Sequence, residues 1–270
     1  REYINTAIPV ASENLQRNYS LNVSSATIRN DMASLEDEGF INRPHTSAGC
    51  VPSDKGYRHY VESIAENAEL PEEERQRIEK LFQEVSDEVE HWLAGLPSSG
   101  GRKWIGVGIG GKMAVKIWPL ERYERLVDRL IETCDVWPVV FGGPESRTDG
   151  CNLVEHWKRG YVACGALGIR AAIEALSRCS LFVGNDTGTI HMAAAAGVRC
   201  VGVYSSRDYP GLWEPYGSGH IVFRTPLPCE GCMLEECSAE HMKCILSISV
   251  EQVLQACRTI IEEEVGRSSK

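Results

Sequence analysis

Short apolar, β-branched runs alternate with amphipathic stretches across residues 102–264, and this alternation constrains the fold more than any other feature. The runs are "WIGVGIGGK" from 104, "WPVVFGG" from 137, "SLFVGND" from 180 and "VRCVGVYS" from 198. Between them lie "PLERYERLVDRLIETC", with Pro119 at its head, "GIRAAIEALSRC" and "TGTIHMAAAAG", all helical in pattern. Buried strands that alternate with helices imply a parallel sheet with helices on both faces, an α/β fold. Ligands of such sheets bind at the carboxyl ends of the strands.

Three candidates sit at those ends. Lys116 follows the first strand and can neutralise phosphate. Glu145 follows the second, where a carboxylate can accept both hydroxyls of a ribose. Asp186, Thr187 and Gly188 join the third strand to a helix N-terminus. Free backbone N–H groups and the helix dipole favour a diphosphate there. Gly188 allows close approach and Thr187 adds a hydroxyl, whereas Asp186 repels phosphate and suits sugar hydroxyls. His191, one turn further on, is expected on the pocket side. Taken one at a time, the bland readings (a helix cap, a core histidine, a surface lysine) are about as good as the functional ones. No catalytic residue is identified, and Asp186 and His191 are the candidates.

Residues 1–65 read differently. Ser12 can cap a helix carrying Leu15 and Tyr19, and Ser24 or Ser25 the next, whose Ile28, Met32 and Leu35 share a face; Gly39 ends it. Two short helices joined by a tight turn are the helix-turn-helix pattern. Ser25, Thr27, Arg29 and Asn30 fall on the exposed first turns of the second helix, and Arg and Asn can contact guanine and adenine edges. Residues 40–43 and 50–52 can pair around a turn at 45–49, a wing that puts Arg43, His45 and Thr46 near a phosphate backbone. The alternative is a small helical protein-interaction domain with the same core.

Between the two zones, residues 66–101 are expected to form an acidic helical connector and a linker. Residues 66–100 hold 10 acidic and 3 basic side chains, most of the chain's net charge of −10. Ile78, Leu81, Phe82, Val85, Val89 and Trp92 form one apolar stripe, expected to pack on the first zone or on a second copy, so that a homodimer stays open. "PSSGG", 97–101, reads as flexible. The expected domains are thus 1–65, 66–101 and 102–270.

Two resemblances follow from longer motifs. "VSSATIRNDMASLEDEGFI", "RPHTSAG" and "PSDKGYRHYV", with the acidic helix to about residue 93, resemble the N-terminal winged helix of the HrcA-type heat-inducible transcription repressors of bacteria. That resemblance implies an α+β winged helix that binds a double-stranded operator of chaperone genes. Cys50 stands where the family usually has Arg, and Ala11 where it usually has Gly. "KIWPLERY", "VVFGGPES", "FVGNDTGTIHMAAAAGV" and "PCEGCMLEECSAEHMKC" resemble the C-terminal half of glycosyltransferase family nine, the lipopolysaccharide heptosyltransferases. This second resemblance implies a Rossmann-like, GT-B donor-binding domain for an ADP-heptose type of nucleotide sugar, with Lys116, Glu145, Asp186, Thr187, Gly188 and His191 as donor contacts. The family's acceptor-binding half is replaced by the repressor-like segment, so donor binding is expected more than transfer.

Eleven cysteines spread through apolar segments fit reduced thiols of the cytoplasm. Cys229, Cys232, Cys237 and Cys244 form the one cluster. Four thiolates can hold zinc or an iron–sulfur centre, and the alternative is free thiols or a labile disulfide. No cofactor is otherwise required. No apolar run of about 18 residues exists, so no membrane span is expected. The opening at Arg1, within a helical pattern, reads as the interior of a longer chain.

Overall fold

The computed structural model describes residues 2–19, 23–43, 49–65, 71–237 and 240–268. It separates into two compact units, Arg1–Gln76 and Arg77–Lys270.

The first unit holds α1 (Glu2–Thr6), α2 (Ser12–Tyr19), α3 (Ser25–Asp37) and α4 (Asp54–Ala65), with a two-stranded antiparallel ladder of β1 (Ile41–Asn42) and β2 (Val51–Pro52). The Ser24 side chain caps α3 by accepting from the Thr27 N–H at 3.1 Å, which satisfies one of the helix's orphan donors. Ser12 is not the cap of α2 but its first residue, and the carbonyl of Ala11 accepts from Asn14 and Leu15. The core is small: Ile28, Met32 and Cys50, with Leu15 and Ile41 against them. Leu35, expected on the same face, is 41% exposed. Cys50 faces this core and bridges to Val10, so the arginine-to-cysteine departure lies inside the fold.

The second unit is a six-stranded parallel sheet. Its strands are β3 (Trp104–Gly108), β4 (Trp137–Phe141), β5 (Tyr161–Val162), β6 (Cys179–Asn185), β7 (Cys200–Tyr204) and β8 (Ile221–Arg224), in the order β5-β4-β3-β6-β7-β8. The order reverses between β3 and β6, which makes the gap beyond their carboxyl ends the topological switch point. Period-two alternation divides the strand side chains between two cores. Ile105, Val107, Val140, Leu181, Val183, Val201 and Val203 meet α6 (Leu120–Cys134), α7 (Arg147–Trp157) and α11 (Val250–Ser268). Val139, Phe141, Phe182, Cys200 and Tyr204 meet α8 (Ile169–Ser177) and α9 (Gly188–Ala195). Gly106 and Gly108 leave room on the second face for the Phe182 ring, which would lie 2.7 and 2.5 Å from their added Cβ atoms. A four-residue helix, α10 (Lys243–Leu246), precedes α11.

The acidic helix α5 (Glu72–Ala94) departs from expectation. Its C-terminal half is packed on the sheet of the second unit. Val89 is fully buried in the second core, with Val85, Trp92 and Leu93 packed beside it. The Trp92 ring meets Tyr161 edge-on at 5.8 Å. Glu88 accepts from the Gly168 N–H at 3.2 Å, and Glu90 pairs with Arg178 at 2.7 Å. The stretch read as a flexible linker is held as well: Tyr161 donates to the Pro97 carbonyl at 2.8 Å, and Arg102 to that of Ser99 at 3.1 Å. The face of the sheet formed by Trp137, Val139 and Tyr161 is apolar and needs cover, and α5 and its following turn pack in that core. Among the described residues, no helix is long and apolar enough to cross a membrane.

Candidate functional site

A cleft of about 630 Å³ opens at the carboxyl ends of β3, β4 and β6, within the size range of small-molecule sites. Gly110 to Met113 form one wall, Gly142 to Ser146 a second, and Asp186 to Thr189 a third. Lys116, Glu145, Asp186, Thr187 and Gly188, expected from three separate points in the sequence, all line it. His191 does not. It is half-buried on α9, and the cleft wall takes Thr189 and Met192 from that helix instead. The helical period puts 188, 189 and 192 on one face and turns 191 away from it.

The third wall suits an anion. Thr187 is extended at the start of α9, and its side chain makes no capping bond, pairing instead with the Thr189 hydroxyl at 2.9 Å. The first backbone N–H groups of a helix lack intrahelical partners. A Cβ built on Gly188 meets nothing within 4 Å, so the approach to these groups is open.

Behind the cleft sits a buried ionic cluster. Lys116 Nζ lies 2.6 Å from Asp186 Oδ2 and 2.7 Å from Asp208 Oδ2, and Arg207 Nη1 lies 2.8 Å from Asp208 Oδ1. Burial works against the Lys116 charge, but the hydrogen bonds and charges of the two aspartates outweigh it and hold its pKa above the ordinary lysine value. Burial likewise works against the Asp208 carboxylate, and Lys116 and Arg207 outweigh it, keeping its pKa below the usual range. Arg224 clamps the segment from below by donating to the carbonyls of Asp208 at 2.6 Å and Ser205 at 3.1 Å.

Two of the residues that build the site escaped the sequence reading. Asn185, fully buried at the end of β6, accepts from the Trp118 N–H at 2.9 Å and the Tyr123 hydroxyl at 2.8 Å. Its amide also donates to the carbonyls of Ile109 and Gly110 at 3.2 and 3.3 Å, which fixes the turn after β3. A lone amide closing an apolar strand was the available signal. Asp208 carried none, because only the fold brings it to Lys116.

The cysteine cluster is brought together in part. Cys229, Cys232, Cys237 and Cys244 line one small cavity with Val115, Leu227 and Leu234. Cys237 Sγ accepts from the Met242 N–H at 3.3 Å. Among the described residues, no three His, Cys, Asp or Glu side chains stand where they could share a metal ion, so these side-chain positions do not fit the zinc or iron–sulfur expectation.

In the first unit, Thr27, Arg29 and Asn30 are exposed on α3 and Ser25 is half-buried at its start. Arg43 pairs with Glu36 at 3.4 Å instead of standing free for a phosphate. His45 and Thr46 lie outside the described residues.

Comparison with known proteins agrees with both units. The family model for glycosyltransferase family 9 (heptosyltransferase) matches residues 54–243, and that for a DeoR-like helix-turn-helix domain matches residues 18–54. The heat-inducible transcription repressor HrcA of Chloroflexus aurantiacus is 50% identical over 93 residues, 34% of this chain and 25% of the repressor. The HrcA of Dehalococcoides mccartyi strain 195 is 50% identical over 93 residues, 34% of this chain and 27% of that protein. Among solved structures, a family 9 glycosyl transferase from Veillonella parvula aligns with TM-score 0.56 and 26% identity over 67% of this chain and 52% of that one. The ADP-heptose lipopolysaccharide heptosyltransferase II of E. coli aligns with TM-score 0.54 and 23% identity over the same shares, a likeness of fold. The chain thus spans about a quarter of the repressors and about half of the transferases.

Proposed function

We propose that this chain, which belongs to glycosyltransferase family 9 (heptosyltransferase), binds a nucleotide-sugar donor of the ADP-heptose type in the cleft between β3, β4 and β6. The observation that carries the reading is the unobstructed N-terminus of α9 at the switch point, with Gly188 facing open space and Lys116 beside it. The diphosphate lies against the backbone N–H groups of Gly188 and Thr189, where dipole and donors act together. Lys116 offers its remaining N–H to the same group. Glu145, exposed on the second wall, accepts from ribose hydroxyls, and Asp186 from the sugar. A glycosyl transfer also needs a positioned acceptor and a base within hydrogen-bond reach of its hydroxyl. The described residues of the first unit form a helix-turn-helix rather than a second parallel sheet, so the reading proposed for the cleft is donor binding. Calorimetric titration of the full chain with ADP, UDP, GDP and their sugars tests it. Saturable binding of ADP or an ADP-sugar is the expected result, and a chain that binds none of them does not have this function.

A second reading rests on a separate observation. The exposed Thr27, Arg29 and Asn30 share the first turns of α3, the geometry by which a recognition helix meets base edges in the major groove. The first unit accordingly binds a double-stranded operator, in keeping with its likeness to heat-inducible transcription repressors. A gel shift against an inverted-repeat operator, with its half-site alone beside it, tests this reading. Retardation equal to that of random DNA at the same salt defeats it.

A further inference from the structure

Asp208 is used by neither reading, yet it is one of the few buried charged groups in the molecule. It is 4% exposed, lies 2.7 Å from the Lys116 ammonium and 2.8 Å from the Arg207 guanidinium, and sits behind the wall where the diphosphate is placed. An ammonium has three N–H donors. Asp186 accepts one of them and the Asp208 carboxylate stands 2.7 Å away as an ion pair, which leaves the lysine's remaining donor capacity for a ligand. Two lysine and arginine charges therefore face two carboxylate charges, and the cluster is close to neutral although a lone lysine in the same place would be a strong anion site. Lys112 and Glu145, the other charged residues on the cleft wall, are opposite in sign. Arg224 spends its nearest donor on the Asp208 and Ser205 carbonyls.

We propose that Asp208 is a specificity-determining residue: it offsets Lys116 so that the cleft gains nothing from the extra charge of an uncapped diphosphate. The proposal rests on the donor-binding reading. A nucleoside diphosphate whose terminal phosphate is esterified by a sugar carries about two negative charges at neutral pH, and the free nucleoside diphosphate about three. A site with an unopposed lysine prefers the second, which is the spent form of the donor. Two carboxylates on that lysine remove the preference, because each repels the added charge at short range through a partly dry medium. The device lets the cleft hold a sugar-capped donor without being blocked by its residue.

The test uses the full 270-residue chain and two ligands that differ only in that charge. They are ADP and ADP methyl-esterified on its terminal phosphate, titrated calorimetrically at pH 8, with the UDP and GDP pairs run alongside. The parent is expected to bind the ester at least as tightly as ADP. Asp208→Asn keeps the size of the side chain and removes its charge, and is expected to shift the ratio about 5–10-fold toward ADP. A parent that binds ADP more than about fivefold tighter than the ester overturns the proposal, as does a folded Asp208→Asn variant with an unchanged ratio. If Asp208→Asn does not fold, the parent's ligand pair decides alone. A parent that binds none of the nucleotides shows instead that the donor-binding reading is wrong, and the proposal falls with it.

Discussion

The Lys116 ammonium and the Asp186 carboxylate meet at 2.6 Å across 70 positions of sequence, tying the loop after β3 to the loop after β6 at the point where strand order reverses. With Asp208 on the other side, the lysine is the keystone of a buried cluster. Removing it leaves two carboxylates side by side with Arg207, paired to Asp208 at 2.8 Å, as their remaining counter-charge. Lys116→Met is expected to lower the unfolding free energy at pH 7 by about 2–4 kcal/mol, measured by denaturant titration. The pH dependence has a definite sign. Asp208 is held below its ordinary value of 3.8, so its contribution is present at neutral pH and lost as pH falls through its folded value. Lys116 is held above 10.5, so its contribution is present below that value and lost only as pH rises through the folded one. The gap between parent and variant should narrow as pH falls below the ordinary carboxylate value of 3.8, and a gap that stays constant through that acid range would count against the pairing.

Gly188→Val tests the diphosphate wall without disturbing the fold. Its Cβ has no protein neighbour within 4 Å, so the melting temperature should stay near the parent's. The branched side chain would occupy the approach to the α9 N–H groups, and nucleotide affinity should fall by about tenfold or more, roughly 1.4 kcal/mol. Undiminished affinity in a calorimetric titration places the diphosphate elsewhere.

Val89 locates the acidic helix energetically. It is fully buried against the sheet. Val89→Ala should cost about 1–3 kcal/mol through lost burial and the cavity left behind. The loss should appear in the same thermal transition that a bound nucleotide raises, because a ligand stabilises only the unit it binds. Calorimetric scans with and without nucleotide separate the two units. A shift confined to the other transition would assign α5 to the first unit.

Arg29 and Arg43 should behave differently on DNA. Arg29 is exposed on α3, so Arg29→Ala should cost about 1–3 kcal/mol in operator binding and relax specificity. Arg43 is already paired with Glu36 at 3.4 Å, and its removal should cost less. Gel shifts over a salt series measure both, and equal losses would mean that the ion pair opens on binding.

The thiols should react in the order of their burial. Burial pushes Cys164 and Cys200 up to about 12, and Cys179 and Cys257 higher still, so all four stay protonated at pH 8. Cys151 and Cys232 are exposed. A time course of thiol labelling on the native chain should modify these two first and the buried four only on unfolding.

Much of the second unit was legible because each of its central strands is a continuous apolar run, and β3, β4 and β6 close on glycine or an amide before a helical turn. β5 and β8 are short edge strands with weaker patterns, and neither announces itself locally. In the first unit, the period of Ile28 and Met32 and the cap at Ser24 identify α3 from local chemistry alone. The individual cleft residues were legible as types: a lysine, a carboxylate and a Thr-Gly turn at strand ends have few other uses in combination. Tertiary structure decided how they are partnered. Nothing near Asp208 marks it as the second carboxylate on Lys116, and no pattern tells that α9 turns Met192 rather than His191 to the cleft. The stripe of α5 shows the same limit: periodicity says that Val89 and Trp92 need cover, but the Tyr161 edge that covers them lies some 70 residues away. A local pattern sets the face a helix must bury, whereas its partner depends on which apolar surface the rest of the chain leaves exposed.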